Sequence, residues 1–181
     1  MADVHNITEK LIEEYHETME QDDKFNHTEF SRLLATKYNM ILIDENIHFF
    51  NGEYYEHLNE DTLRQLTYRD MPQIKEHQNR EVFFKIKAMK NDFEDKELEP
   101  HKLVISNGVL NLKTNQLMKH SPTHISTSKV DVEYIEGAKS EVLENFIKSV
   151  SDEDEQIEKL IYQIISYCLY KENFSEKTFF F

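Results

Sequence analysis

Residues 103–122 read LVISNGVLNLKTNQLMKHSP. Two turn signals, Asn107-Gly108 and Thr114-Asn115, stand seven residues apart and bracket the apolar Val109, Leu110 and Leu112. Short apolar runs punctuated by such dipeptides predict a β-meander, which SKVDVEY (128–134) would continue. Toward the C-terminus the period becomes helical. Ser140 is placed to cap a helix with Val142, Leu143, Phe146, Ile147 and Val150 turned inward. Ser151 then opens a longer helix whose first turn is acidic, as the helix dipole prefers. Its stripe runs Ile157, Leu160, Ile161, Ile164, Ile165, Cys168 and Leu169, which places Cys168 in a core.

Working back toward the N-terminus, helices are predicted at about 61–70 and 79–91, the second burying Val82, Phe83, Ile86 and Met89. MILIDENIHFFNGEYYEHL (40–58) carries β-branched and aromatic residues around Asn51-Gly52, a dipeptide suited to a tight hairpin. Its Phe49, Phe50, Tyr54 and Tyr55 are either a stacking surface or core. A helix from about Thr28 would bury Phe30, Leu33, Leu34 and Tyr38. Before it, Ile7, Leu11, Ile12, Tyr15 and Met19 recur at helical spacing, with Asn6 and Glu9 as capping partners. The run NDFEDKELEP (91–100) reads as a solvated connector.

The expected fold class is therefore α+β, mostly helical, with short antiparallel hairpins and a meander between helix pairs. Two parts are expected. Residues 1–98 form an acidic helical subdomain with a hairpin that could supply the wing of a winged-helix-like part. Residues 99–181 form the meander and the helix pair. A chain of 181 residues with three Gly and three Pro suits long helices better than a turn-rich β protein.

Charge narrows the functions available. The net charge of −14 opposes nucleic-acid binding by the molecule as a whole. Residues 1–61 hold 15 acids against 4 bases, whereas residues 62–90 hold 3 acids against 7 bases. Any DNA contact belongs in that middle region. On the helix expected there, Arg80 and Lys87 align, Lys90 is close by, and Lys85 lies on a different flank. The alternative is a solvated helix face. One cysteine leaves no intramolecular disulfide, and no stretch approaches the 18 apolar residues of a membrane span. A soluble, cytoplasmic protein without a membrane partner is expected.

Catalytic signals are sparse. No His sits in an H-E-x-x-H motif, and although His120 and His124 are four residues apart, Ser121-Pro122 between them breaks the helix that would align them. Asp152-Glu153-Asp154-Glu155 lacks the spaced oxygens and glycine of a calcium loop. No phosphate-cradling glycine loop occurs. Asp131 and Glu133 alternate on VDVEY and could hold divalent ions for primer synthesis, against the plainer reading of an exposed strand. No catalytic residue, metal site or cofactor is assigned to the chain itself.

LVISNGVLNLKTNQLMKHSP resembles the segment that precedes the motor in superfamily-3 primase-helicases of phages, plasmids, pathogenicity islands and large DNA viruses. There a strand ending in NGVLDL runs into a TGEL-like turn and then HSP. The matching residues are Asn107, Gly108, Val109, Leu110, Asn111 and Leu112, then Thr114, Asn115, Gln116 and Leu117, then His120, Ser121 and Pro122. Tyr134 and Ala138 match a following Y-x-x-x-A loop, a helix pair comes next, and EKTFFF (176–181) is similar to the strand entering the Walker A loop. The resemblance is good over 101–181 and general over 40–100, where Asn51-Gly52-Glu53-Tyr54-Tyr55 matches a hairpin. Residues 1–39 match nothing assignable. Asn111 stands where the family has an acid, and Asn115 where it has a turn glycine.

The resemblance implies the N-terminal collar and linker of an ATP-driven helicase ring, usually hexameric, with this chain a fragment cut before the phosphate loop. ATP and Mg would bind the motor of the parent protein, and the chain would aid ring assembly and engage DNA. Its basic 80–90 helix would face the DNA. A second reading is an acidic protein-interaction module that docks a basic loader, initiator or primase, or mimics DNA.

Overall fold

The computed structural model describes Lys10 and residues 25–171. The helix expected around Ile7–Met19 and the Thr178–Phe181 strand lie outside the described residues. The chain is α+β, with five α-helices and seven strands among the described residues. It divides into two units. The first runs to Leu98 and also takes in Ser121–Ser128; the second comprises Glu99–His120 and the residues from Lys129 onward.

In the first unit, α1 (His27–Lys37) begins where Asn26 Oδ1 accepts the Glu29 N–H at 3.2 Å. Strands β1 (Ile41–Ile43), β2 (Asn46–Phe50) and β3 (Tyr55–His57) form an antiparallel sheet in that order. Asn59 caps α2 (Glu60–Asp70), accepting the Thr62 N–H at 2.8 Å, and α3 (Glu76–Ala88) follows. Both α1 and α2 pack on α3. Phe30, Leu34, Leu63, Val82 and Ile86 lose all exposure in that core, and Phe49 of β2 joins them. At the C-terminal ends of α1 and α2, Tyr38 donates its hydroxyl hydrogen to Asp70 (2.9 Å) and accepts from Arg69 (2.7 Å), while Lys37 pairs with Asp70 at 2.9 Å.

Two turns differ from expectation. The tight hairpin is at Asp44-Glu45, both with positive φ (48° and 62°), although neither is the glycine or asparagine that usually marks such a turn. Asn51-Gly52 instead opens a longer loop. There Asn51 Oδ1 accepts the N–H groups of Glu53 and Tyr54, both at 3.0 Å, and this side-chain turn replaces a tight backbone one.

Helix α3 also begins three residues before the expected start, because Gln78 Oε1 accepts the Lys75 N–H at 2.9 Å and secures an extra turn. The expected solvated connector is partly structural. Leu42 donates to Glu94 O and accepts from Lys96 N–H, each at 2.9 Å, and Phe93 packs against the core. Residues 121–128 close the other side of Tyr55. Ser126 O accepts the Tyr55 N–H at 2.8 Å, the Tyr55 hydroxyl donates to Pro122 O at 2.8 Å, and Ile125 is buried with Ile41, Ile43 and Tyr55. Burial, reinforced by Glu94, pushes the Tyr55 phenol up to about 12.

In the second unit, β4 (Lys102–Ile105), β5 (Gly108–Asn111) and β6 (Gln116–Met118) form the expected meander. The 128–134 segment does not continue it. Strand β7 (Lys129–Val130) has two residues and lies parallel to β4 on the opposite edge. Asn107 holds the next stretch with its side-chain amide, donating to Tyr134 O (2.9 Å) and accepting from Tyr134 N–H (3.0 Å). Asn115 adopts φ 56°, the left-handed conformation expected of it in place of glycine. His120 Nε2 lies 2.9 Å from Ile105 O.

Helices α4 (Glu141–Ser151) and α5 (Glu155–Cys168) pack against each other. Ser140 caps α4 as expected, accepting the Leu143 N–H at 3.3 Å. Ser151, however, ends α4, and Asp154 caps α5 by accepting the N–H groups of Gln156 and Ile157. The inward placement of the α4 residues is corrected for all but Ile147. Val142 is 82% exposed, Phe146 60% and Val150 57%, and Leu143 is exposed too. On α5, Ile157, Leu160, Ile165, Cys168 and Leu169 are likewise exposed. A two-helix hairpin has a single seam, too narrow to cover two broad apolar stripes.

Gly108 has φ +152°, and a Cβ there would fall well inside contact distance of the Met118 carbonyl oxygen. Replacing it with alanine should cost about 2–3 kcal/mol, at the upper end of ordinary point substitutions, and disrupt β5–β6 pairing. Gly137 also has positive φ (+73°) but open space around it, so Gly137→Ala should cost only about 1–2 kcal/mol. Thermal or denaturant unfolding of the two variants checks the difference.

Acid sensitivity is expected from two histidines. Burial pushes His48 below its ordinary value, with His57 across the strand pair acting in the same direction and Asn46 O and Asp44 opposing. Burial also lowers His27, opposed by Glu81 and reinforced by His77 and Lys85. Groups depressed in the folded state contribute stability that is complete above about pH 6.5 and lost as pH falls below it. Denaturant titrations between about pH 5 and 8 should show that loss, and His48→Gln should flatten part of it.

Candidate nucleic-acid interface

The packing of α3 determines what it can present. Val82, Phe83 and Ile86 face the core, and Ser31 Oγ of α1 donates to His27 O (2.6 Å) with Val82 O 3.4 Å away. At 100° per residue, Lys87 falls about 20° and Phe84 about 40° from Arg80 around the helix axis. These three side chains share the solvent side, with Arg80 60% and Phe84 55% exposed. Arg80 lies 3.8 Å from Glu76 in an exposed pair, which contributes little and is readily exchanged. Lys87 Nζ sits 4.6 Å from the Phe83 ring centroid. Glu76 in the first turn and Lys85 and Lys87 in the last suit the helix dipole.

Of the residues expected to contact DNA, Arg80 and Lys87 share this face. Lys90 lies just past the end of α3 in a 3-10 turn (Lys90–Asp92). Lys85 is about 140° from Arg80, on the flank where it adds to the charge around His27. Phe84 was absent from the sequence-based reading, although its position four residues after Arg80 and off the Val82–Ile86 side was available there. The hairpin aromatics resolve in the opposite sense. Phe49 and Tyr55 are buried in the core, Phe50 packs half-buried beside Tyr55, and Tyr54 is half-buried.

Asp131 and Glu133 lie beyond the two-residue β7, so no strand holds them on one face. Asp131 is exposed and pairs with Lys129 at 3.2 Å. A cavity of about 760 Å³ in the first unit is floored by Met40, Tyr55 and Ile125. Arg32 and Lys96 on its lining are balanced by Asp92 and Glu94, so its charge does not favour phosphate. No helix among the described residues is long and apolar enough to cross a membrane.

No curated protein matches the chain. Residues 3–152, which include the whole of α3 and the meander, match the family described as D5 N terminal like. That family is an N-terminal domain of primase-helicase type proteins. Basic α3 face and NGVLNL meander alike thus lie within a replication-protein module, and the chain belongs to the D5 N terminal like family.

Proposed function

We propose that the chain is a non-catalytic N-terminal domain of a replicative DNA helicase from a phage or mobile element. It helps the ring assemble and engages DNA through Arg80, Lys87 and Lys90, with Lys85 as a peripheral contact. ATP hydrolysis and its Mg ion are assigned to a motor domain of the parent protein. The observation that carries the assembly role is the apolar side of the α4–α5 hairpin that the described residues leave exposed. Contiguous exposed apolar faces mark interaction sites, and the occupant proposed is the neighbouring protomer of the ring.

Val142→Glu with Phe146→Glu in the parent protein should reduce the ring to smaller species in analytical ultracentrifugation, with helicity unchanged. An intact ring would remove this face from assembly. Charge reversal at Arg80, Lys87 and Lys90 together should weaken duplex binding and lower its log–log salt slope by up to about 3, at ~0.9 per phosphate contact. Unchanged binding would remove the basic helix from the mechanism.

The charge of residues 1–61 favours a second reading, docking of a basic replication protein. Capture of such a partner that survives reversal of the α3 charges and fails on deletion of residues 1–39 would select it.

A further inference from the structure

We infer that the Arg80–Phe84–Lys87 face of α3 is a contact for single-stranded DNA, with Phe84 stacking on an unpaired base between two phosphate-binding cations. The inference rests on the DNA-engaging role proposed above and adds the form of the ligand and the residue that selects it. Phe84 is a phenylalanine with 55% of its surface in solvent, on a helix that buries Val82 and Ile86 completely. Its ring centroid lies 6.4 Å from that of Phe83, and the cation of Lys87 lies over Phe83, not over Phe84.

The spacing fits a strand. Arg80 to Lys87 spans about 10 Å along the helix axis at 1.5 Å per residue, about the length of three stacked nucleotides. An aromatic ring between two cations over that length suits a base flanked by phosphates. In a duplex the bases are already stacked on one another and offer Phe84 no face. The cations alone therefore serve any nucleic acid, whereas Phe84 distinguishes the unpaired strand. Glu76 is the acid on this face, and its exposed pairing with Arg80 is one that a phosphate can replace.

The test uses the full 181-residue chain with a fluorescent oligothymidine and, separately, a duplex of equal length. Phe84→Ala should weaken single-strand binding about 5- to 150-fold, the range for loss of one stacked base, and leave duplex binding unchanged. Phe84→Trp should restore it. Arg80→Glu with Lys87→Glu should weaken both ligands and reduce the salt slope. Because Phe84 is exposed, the variants should unfold at the wild-type temperature.

If charge reversal weakens binding and Phe84→Ala does not, the stacking inference fails and the DNA-engaging role stands. If the wild type binds the duplex and no single strand, the stacking inference alone fails; if neither change matters, or the wild type binds neither ligand, both fail. If Phe84→Ala instead dissociates a dimer in solution and leaves DNA affinity intact, the face is a contact between copies and the inference is overturned.

Discussion

Phe30 and Leu34 on α1 interlock with Val82 and Ile86 on α3, and none of the four exposes any surface. Each such burial is worth about 1.5–3 kcal/mol, far more than an exposed ion pair such as Arg80–Glu76. The apolar contacts therefore set the rotation of α3 about its axis, and the charged residues take whatever side remains. A turn of one residue position, about 100°, would carry Arg80, Phe84 and Lys87 together off the solvent side. The candidate interface is thus a by-product of core packing.

Much of the architecture was legible because its signals are local. Ser140 caps its helix through a bond to the residue three positions on, and Thr114-Asn115 turns where a left-handed residue is tolerated. The failures are those of non-local context. Nothing near Asp44-Glu45 announces a tight hairpin, since two acids replace the expected glycine or asparagine. VDVEY alternates like a strand, yet only its first residue belongs to β7, because Ser106 N–H and the Asn107 amide hold the following residues at Val132 and Tyr134. The α4 stripe reads the same whether another helix or a partner covers it, so periodicity could not tell inward from outward. The basic face was half legible: the alignment of Arg80 and Lys87 follows from spacing, whereas the exposure of Phe84 next to a buried Phe83 depends on where α1 packs.

The acidic balance of the chain and a DNA-facing helix are compatible on grounds of range. Screening at physiological salt confines the influence of an exposed charge to about 8 Å. A phosphate approaching α3 meets the local excess of bases before the net charge of the whole molecule. The acids matter more for the approach from a distance, which they slow, than for the contact itself.

The chain leaves the first unit at Leu98, returns to it for Ser121–Ser128, and leaves again at Lys129. Three covalent passages therefore join the two units where a beads-on-a-string arrangement would have one. Severing the chain at one passage leaves two others intact, so a single protease nick cannot set either unit free. Excision at residue 98 would also strip the first unit of Ile125 and of the Pro122 and Ser126 carbonyls that hold Tyr55. A single crossover within the gene therefore cannot exchange one unit without dividing the other.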